Sequence, residues 1–198
     1  LGSVQVNALD ALHEMPQKIK TNLSENRKAI WDYVVFWADC IDFGYAYDAL
    51  YRSENRDALG RQLLCAGYEE LSSATSLLLE HRPNKRAIMN CRMATEMLLK
   101  CFIAFKDGLT ETQAKNLGHN LGNIFDKFLD VSGYQHRAET NDLLRVFPEI
   151  KERYKAQEVD NSSLFDGYCF AQSIGAFTAR AFTDRNTLLQ VMPSNKPN

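Results

Sequence analysis

The stretch Ala87-Ile88-Met89-Asn90-Cys91-Arg92-Met93-Ala94-Thr95-Glu96-Met97-Leu98-Leu99-Lys100-Cys101-Phe102-Ile103-Ala104-Phe105 decides the fold. It is apolar around almost its whole circumference, the pattern of a helix buried on every side. Arg92, Glu96 and Lys100 interrupt it at intervals of four, and at about 3.6 residues per turn they form a single stripe. A stripe so sparse cannot solubilise the helix. It pairs internally, fixes a neighbouring loop, or lines a site. The segment is nearly long enough to cross a bilayer, but three charges near its middle would be costly there. It reads as a buried helix of a soluble bundle.

Working outward, helical periodicity dominates and no segment shows a convincing strand alternation. Upstream, a long helix is expected from Arg56 to Glu80, capped by Asn55, with Leu59, Leu63, Ala66, Ala74, Leu77 and Leu78 turned inward. His81-Arg82-Pro83-Asn84 forms a short turn, because Pro83 prevents a regular helix from continuing. The two long helices should therefore pair as an antiparallel hairpin. Asp107-Gly108 closes the second one, and Thr110 and Gln113 have capping-box spacing. Leu121, Ile124, Phe125 and Phe128 mark a further helix, stopped near Ser132-Gly133. Another segment spans Ala138 to Val146 before Pro148. A last helix from Ser163 to Thr183 carries Ala171, Gly175, Ala176 and Ala179, small enough for close helix approach.

Before the hairpin, Val4 to Lys20 is weakly amphipathic and interrupted by Pro16. Ser24 is expected to cap a second helix, with Glu25 in its first turn and Ile30, Val34, Trp37 and Ile41 on one face. Gly44 is the expected break or kink. Trp31, Tyr33, Phe36, Trp37, Phe43, Tyr45, Tyr47 and Tyr51 cannot all share one face, so this aromatic run packs into a core, lines a pocket, or forms a partner surface. The reading is an all-α, up-and-down antiparallel helical bundle over residues 55–185. An N-terminal helical extension covers 1–54, and 186–198 forms a tail, disordered beyond Val191.

The 198 residues suit one domain or one domain with an extension. A formal charge of -2 and a pI near 6.1 provide no global attraction to nucleic acid, so such binding would need a local basic patch. Cys40, Cys65, Cys91, Cys101 and Cys169 are scattered, odd in number and mostly set in apolar helical patterns, which favours reduced core thiols over a disulfide frame. No secretory leader is apparent, and a cytoplasmic location is expected.

The chemistry open to the chain is limited. There is no Gly-x-Ser-x-Gly elbow, phosphate-binding glycine loop or dinucleotide fingerprint, and no cofactor is expected. Metal binding is not expected either, since His13, His81, His119 and His136 include no i,i+4 pair and the cysteines no close pair. His119 lies in Lys115-Asn116-Leu117-Gly118-His119-Asn120-Leu121, where it caps a helix or bonds a carboxylate. If this loop folds over the stripe, Glu96 is the natural partner. Glu96, His119 and an arginine form a set able in principle to activate a 2'-hydroxyl and stabilise a phosphorane. Two basic clusters, His81-Arg82-Lys85-Arg86-Arg92 and Lys151-Arg153-Lys155, are solvated helix ends or, if they converge, a phosphate site.

In order and spacing these features resemble the HEPN superfamily (higher eukaryotes and prokaryotes nucleotide-binding domains). The likeness lies in Arg61-Gln62-Leu63-Leu64 with Tyr68-Glu69-Glu70-Leu71, then Arg92 to Lys100, then Leu117 to Leu121, then Arg153-Tyr154, and covers about Arg56 to Phe182. The resemblance implies a helical bundle, frequent homodimerisation and a cleft at the dimer interface. Family members include ribonucleases of toxin, antiphage or RNA-processing systems and noncatalytic modules that bind nucleotides or partners. Nuclease members carry an arginine followed after four to six residues by histidine. No histidine here has that arginine, and after Arg153 the window holds Glu158, Val159 and Asp160. Arg92, Glu96, Lys100, His119 and Arg153 are the expected ligand-binding residues. The expected function is a noncatalytic dimeric domain binding a nucleotide, RNA or partner protein, in a defence or stress setting. A divergent ribonuclease and an interaction module using the aromatic extension are the alternatives.

Overall fold

The computed structural model describes residues 8–134 and 143–191. Its long helices are α1 (Gln17–Glu25), α2 (Arg27–Tyr51), α3 (Ala58–Leu78), α4 (Ala87–Asp107), α5 (Glu111–Leu117), α6 (Leu121–Ser132), α7 (Asn161–Phe182) and the short α8 (Thr187–Val191). Single 3-10 turns lie at Ala8–Ala11 and Ile150–Glu152. Among the described residues there is no strand, so the chain is an all-α bundle.

α4 is the central helix and packs on α3, α6 and α7. Fifteen of its residues are buried, including all three members of the charged stripe. Glycines on α3 set its distance from α4. A Cβ on Gly60 would lie 2.6 Å from Phe105, and one on Gly67 would lie 2.8 Å from Leu98, so the backbones approach more closely than any side chain allows. That register is antiparallel, as expected of the hairpin. α2 runs parallel to α7, its Phe36 meeting Tyr168 and its Phe43 meeting Gly175, and it touches α3 where Tyr47 stacks on Tyr68 and Phe43 meets that ring edge-on. α7 then runs parallel to α4: its Gly167 meets Ile88 near the start of α4, and its Phe182 meets Phe105 near the end.

The expected close approach at Gly175 is present, for a Cβ there would come within 2.7 Å of the Phe43 ring. Through Phe43, Ala46 and Leu50 the second helix of the expected extension enters the common core. The aromatic run divides between the two sides of α2. Phe43 is buried and Tyr47 packs against the core, while Trp31, Tyr45 and Tyr51 remain exposed.

Several boundaries differ from the sequence reading. Ser24 does not cap α2; it lies inside α1, where its hydroxyl donates to the Thr21 carbonyl. Asn26 is the cap, its side-chain oxygen accepting from Lys28 and Ala29 amides. Glu25 accordingly ends α1. Gly44 does not interrupt α2, since a single exposed glycine costs about 1 kcal/mol and the packed residues on either side outweigh it. Asp57, not Asn55, caps α3, accepting from Gly60 N at 2.7 Å. Reach to the first free amides of the helix, not side-chain type, decides the cap. Thr187–Val191 is helical, although the sequence places 186–198 in a tail. Most of the expected segment from Ala138 to Val146, and the tail beyond Val191, fall largely outside the described residues.

Candidate functional site

The α4 stripe meets the turn between α5 and α6. Capping chemistry sets that turn on both sides. Thr110 and Gln113 form the expected capping box at the start of α5, Gly118 has φ 61 after its end, and Asn120 caps α6 by accepting from Asn123 N at 3.1 Å. Because Asn120 serves as the cap, the His119 side chain is left to turn back to α4.

Glu96, fully buried, is the hub. Its Oε1 accepts from Lys100 Nζ at 3.0 Å and contacts His119 Nδ1 at 2.8 Å, and its Oε2 accepts from Arg92 Nη1 at 3.3 Å. The cations also reach into the loop. Arg92 Nη2 donates to the His119 carbonyl and Lys100 Nζ to the Gly118 carbonyl, both at 2.6 Å. The group therefore carries two cations against one carboxylate, and a backbone carbonyl accepts a second hydrogen bond from each cation. A buried cation without such partners would cost several kcal/mol. His119 is the open member, with its side chain 59% exposed. An ionised carboxylate only accepts, so Nδ1 donates to Glu96 and Nε2 remains for another partner.

The structure does not bring Arg153 to this group. Its backbone ends the 3-10 turn at Ile150–Glu152, and its guanidinium lies 4.7 Å from the centroid of the exposed Tyr154 ring. Asp160, in the window where a nuclease would carry histidine, caps α7 by accepting from Ser163 N at 2.9 Å. The basic clusters also change composition. Arg92 is withdrawn into the core, leaving His81, Arg82, Lys85 and Arg86 exposed at the α3–α4 tip. Lys151 pairs with Glu149 and Lys155 with Glu152, which neutralises most of the second cluster.

A second buried polar cluster escaped the sequence reading. Arg180 of α7 places Nε 2.7 Å from Asp42 Oδ2 and Nη1 2.7 Å from Asp39 Oδ1. The Thr187 amide donates to Asp42 Oδ1 at 2.8 Å, which ties the start of α8 to α2. Burial, countered in part by Arg180, pushes the Asp39 carboxyl up from 3.8 to about 6. The available signal was two aspartates three residues apart on the face of α2 that also carries Phe43.

No protein-family model matches the chain, and no curated protein or solved structure matches it. Among the described residues no three His, Cys, Asp or Glu side chains gather to hold a metal ion, and no helix is long and apolar enough to cross a membrane. The five cysteines are unpaired, and burial pushes the Cys91 thiol up to about 12, far from the thiolate range a nucleophile needs.

Proposed function

We propose that the chain is a noncatalytic, cytoplasmic HEPN-like domain that acts as a homodimer and binds a nucleotide or RNA beside the His119 loop. The observation that carries this reading is the commitment of Arg92 and Lys100 to Glu96 and to the loop carbonyls. Cations held in this way fix a surface. They cannot also follow the charge that develops on a reacting phosphate without releasing the loop. His119 is left to meet a ligand, and Arg86, at the exposed end of α4, lies about 9 Å from Arg92 along the helix axis. The exposed cations around it supply local attraction for phosphate that the net charge lacks.

The test is titration of labelled single-stranded and structured RNA, and of nucleotides, with light scattering to measure oligomeric state. Saturable, salt-sensitive binding without cleavage, weakened in His119→Ala, is the expected result. Cleavage abolished by changing His119 or Arg153 would instead establish a divergent ribonuclease, the reading favoured by the 2.8 Å Glu96–His119 contact. A protein partner is the remaining alternative, favoured by Tyr45, which is 68% exposed on α2. Truncation to Tyr51 cannot test that role, because it removes Phe43 and Leu50 from the core. Tyr45→Ser is the cleaner variant.

A further inference from the structure

A cleft of about 410 Å³ opens between the end of α4, α5 and α6, next to the His119 loop but separate from the α4 stripe. Its floor is apolar, with Ile103 and Leu109 buried and Leu117 packed against the core. Its rim is rich in donors. Gln113 uses its Oε1 on the Thr110 amide and hydroxyl, which leaves its amide NH2 for another partner. Asn116 is exposed and presents its side-chain amide at the rim. Lys127 stands 4.0 Å from Asp107, at the limit of an ion pair, and both side chains are nearly half exposed. An ammonium held so loosely can turn to another anion at little cost.

Apolar floor and convergent donors are the usual composition of a small-molecule site. From this juxtaposition we infer that the cleft binds a small carboxylate with an apolar body, a single ring or short aliphatic chain. The body lies over Ile103, Leu109 and Leu117, and the carboxylate meets Lys127 with the Gln113 and Asn116 amides. Asp107 competes with the ligand for Lys127. The larger cavity beside Phe147 is less suited, because its Glu149 and Glu152 are already matched by lysines and its Asp160 caps α7.

The experiment is an amide NMR titration of the full chain with benzoate and with benzamide, its uncharged analogue. Benzoate should give saturable shifts across Leu109–Leu117 and at Lys127, with benzamide about tenfold weaker or more. Lys127→Ala should weaken benzoate about tenfold, and Asp107→Asn should tighten it about threefold by releasing Lys127. Both substitutions are at exposed positions and leave the core intact. No saturable shift, equal binding of the two probes, or unchanged benzoate affinity in either variant overturns the inference. His119→Ala separates this site from the nucleotide reading: it should weaken nucleotide or RNA binding and leave benzoate affinity unchanged.

Discussion

The Arg92–Glu96–Lys100 seam buries two cations around one carboxylate, whereas the Asp39–Asp42–Arg180 cluster buries two carboxylates around one cation. Each has an excess charge, and each relieves it with backbone. The seam passes its surplus donors to the Gly118 and His119 carbonyls, and the second cluster draws on the Thr187 amide. The seam thereby fixes a loop, and the second cluster fixes α8. A further difference is that burial pushes the Asp39 carboxyl of the second cluster up to about 6. The second cluster can thereby take up a proton near neutral pH.

The largest expected effect is at the seam, whose members are the more deeply buried. Glu96→Ala leaves two buried cations with carbonyl partners alone and should lower stability by about 3–5 kcal/mol, measured by denaturant unfolding. A loss as small as that of an exposed pair such as Lys28–Asp32 would break the comparison. Arg180→Ala should cost less, about 2–3 kcal/mol, because Asp39, one of the two aspartates it orphans, can bind a proton. Its cost should be greater at pH 8 than at pH 5.

Asp39 should give the wild type a pH signature. Its folded pKa, about 6, exceeds the unfolded 3.8, so the folded state binds more protons between those values. This contribution to stability is present below about pH 4 and is lost as pH rises to about 6, by an amount on the order of 3 kcal/mol. Asp39→Asn should flatten that slope in urea melts at stepped pH; an unchanged slope places its origin elsewhere. His119→Ala should have the smallest effect, about 1 kcal/mol for one half-exposed hydrogen bond, with the loop carbonyls still held.

The same two clusters show what a sequence reveals. Arg92, Glu96 and Lys100 lie on one helix, so their spacing places them on one face, and the Gly118-His119-Asn120 turn announces itself by composition. Glu96 as the His119 partner was accordingly legible. Asp42 and Arg180 are 138 positions apart, and only tertiary packing joins them. The all-α bundle and the α3–α4 hairpin followed from periodicity and Pro83. Cap choice did not, because Ser24 and Asn26, or Asn55 and Asp57, are equivalent by type and distinguished only by which amides each reaches. Gly44 was misread for a similar reason, since local propensity yields to Phe43 packing on Gly175.

The buried cations of α4 hold the His119 loop. Hydrogen exchange in Lys100→Met, which keeps the length of the side chain but removes its charge, tests this most directly. The amides to follow are Gly118, bonded to the Lys115 carbonyl, and Asn123 and Ile124, bonded to Asn120. Exchange should be about tenfold faster or more at these three, with α3 and α7 unchanged. Unchanged protection at all three would contradict it and leave Lys100 free to serve a ligand.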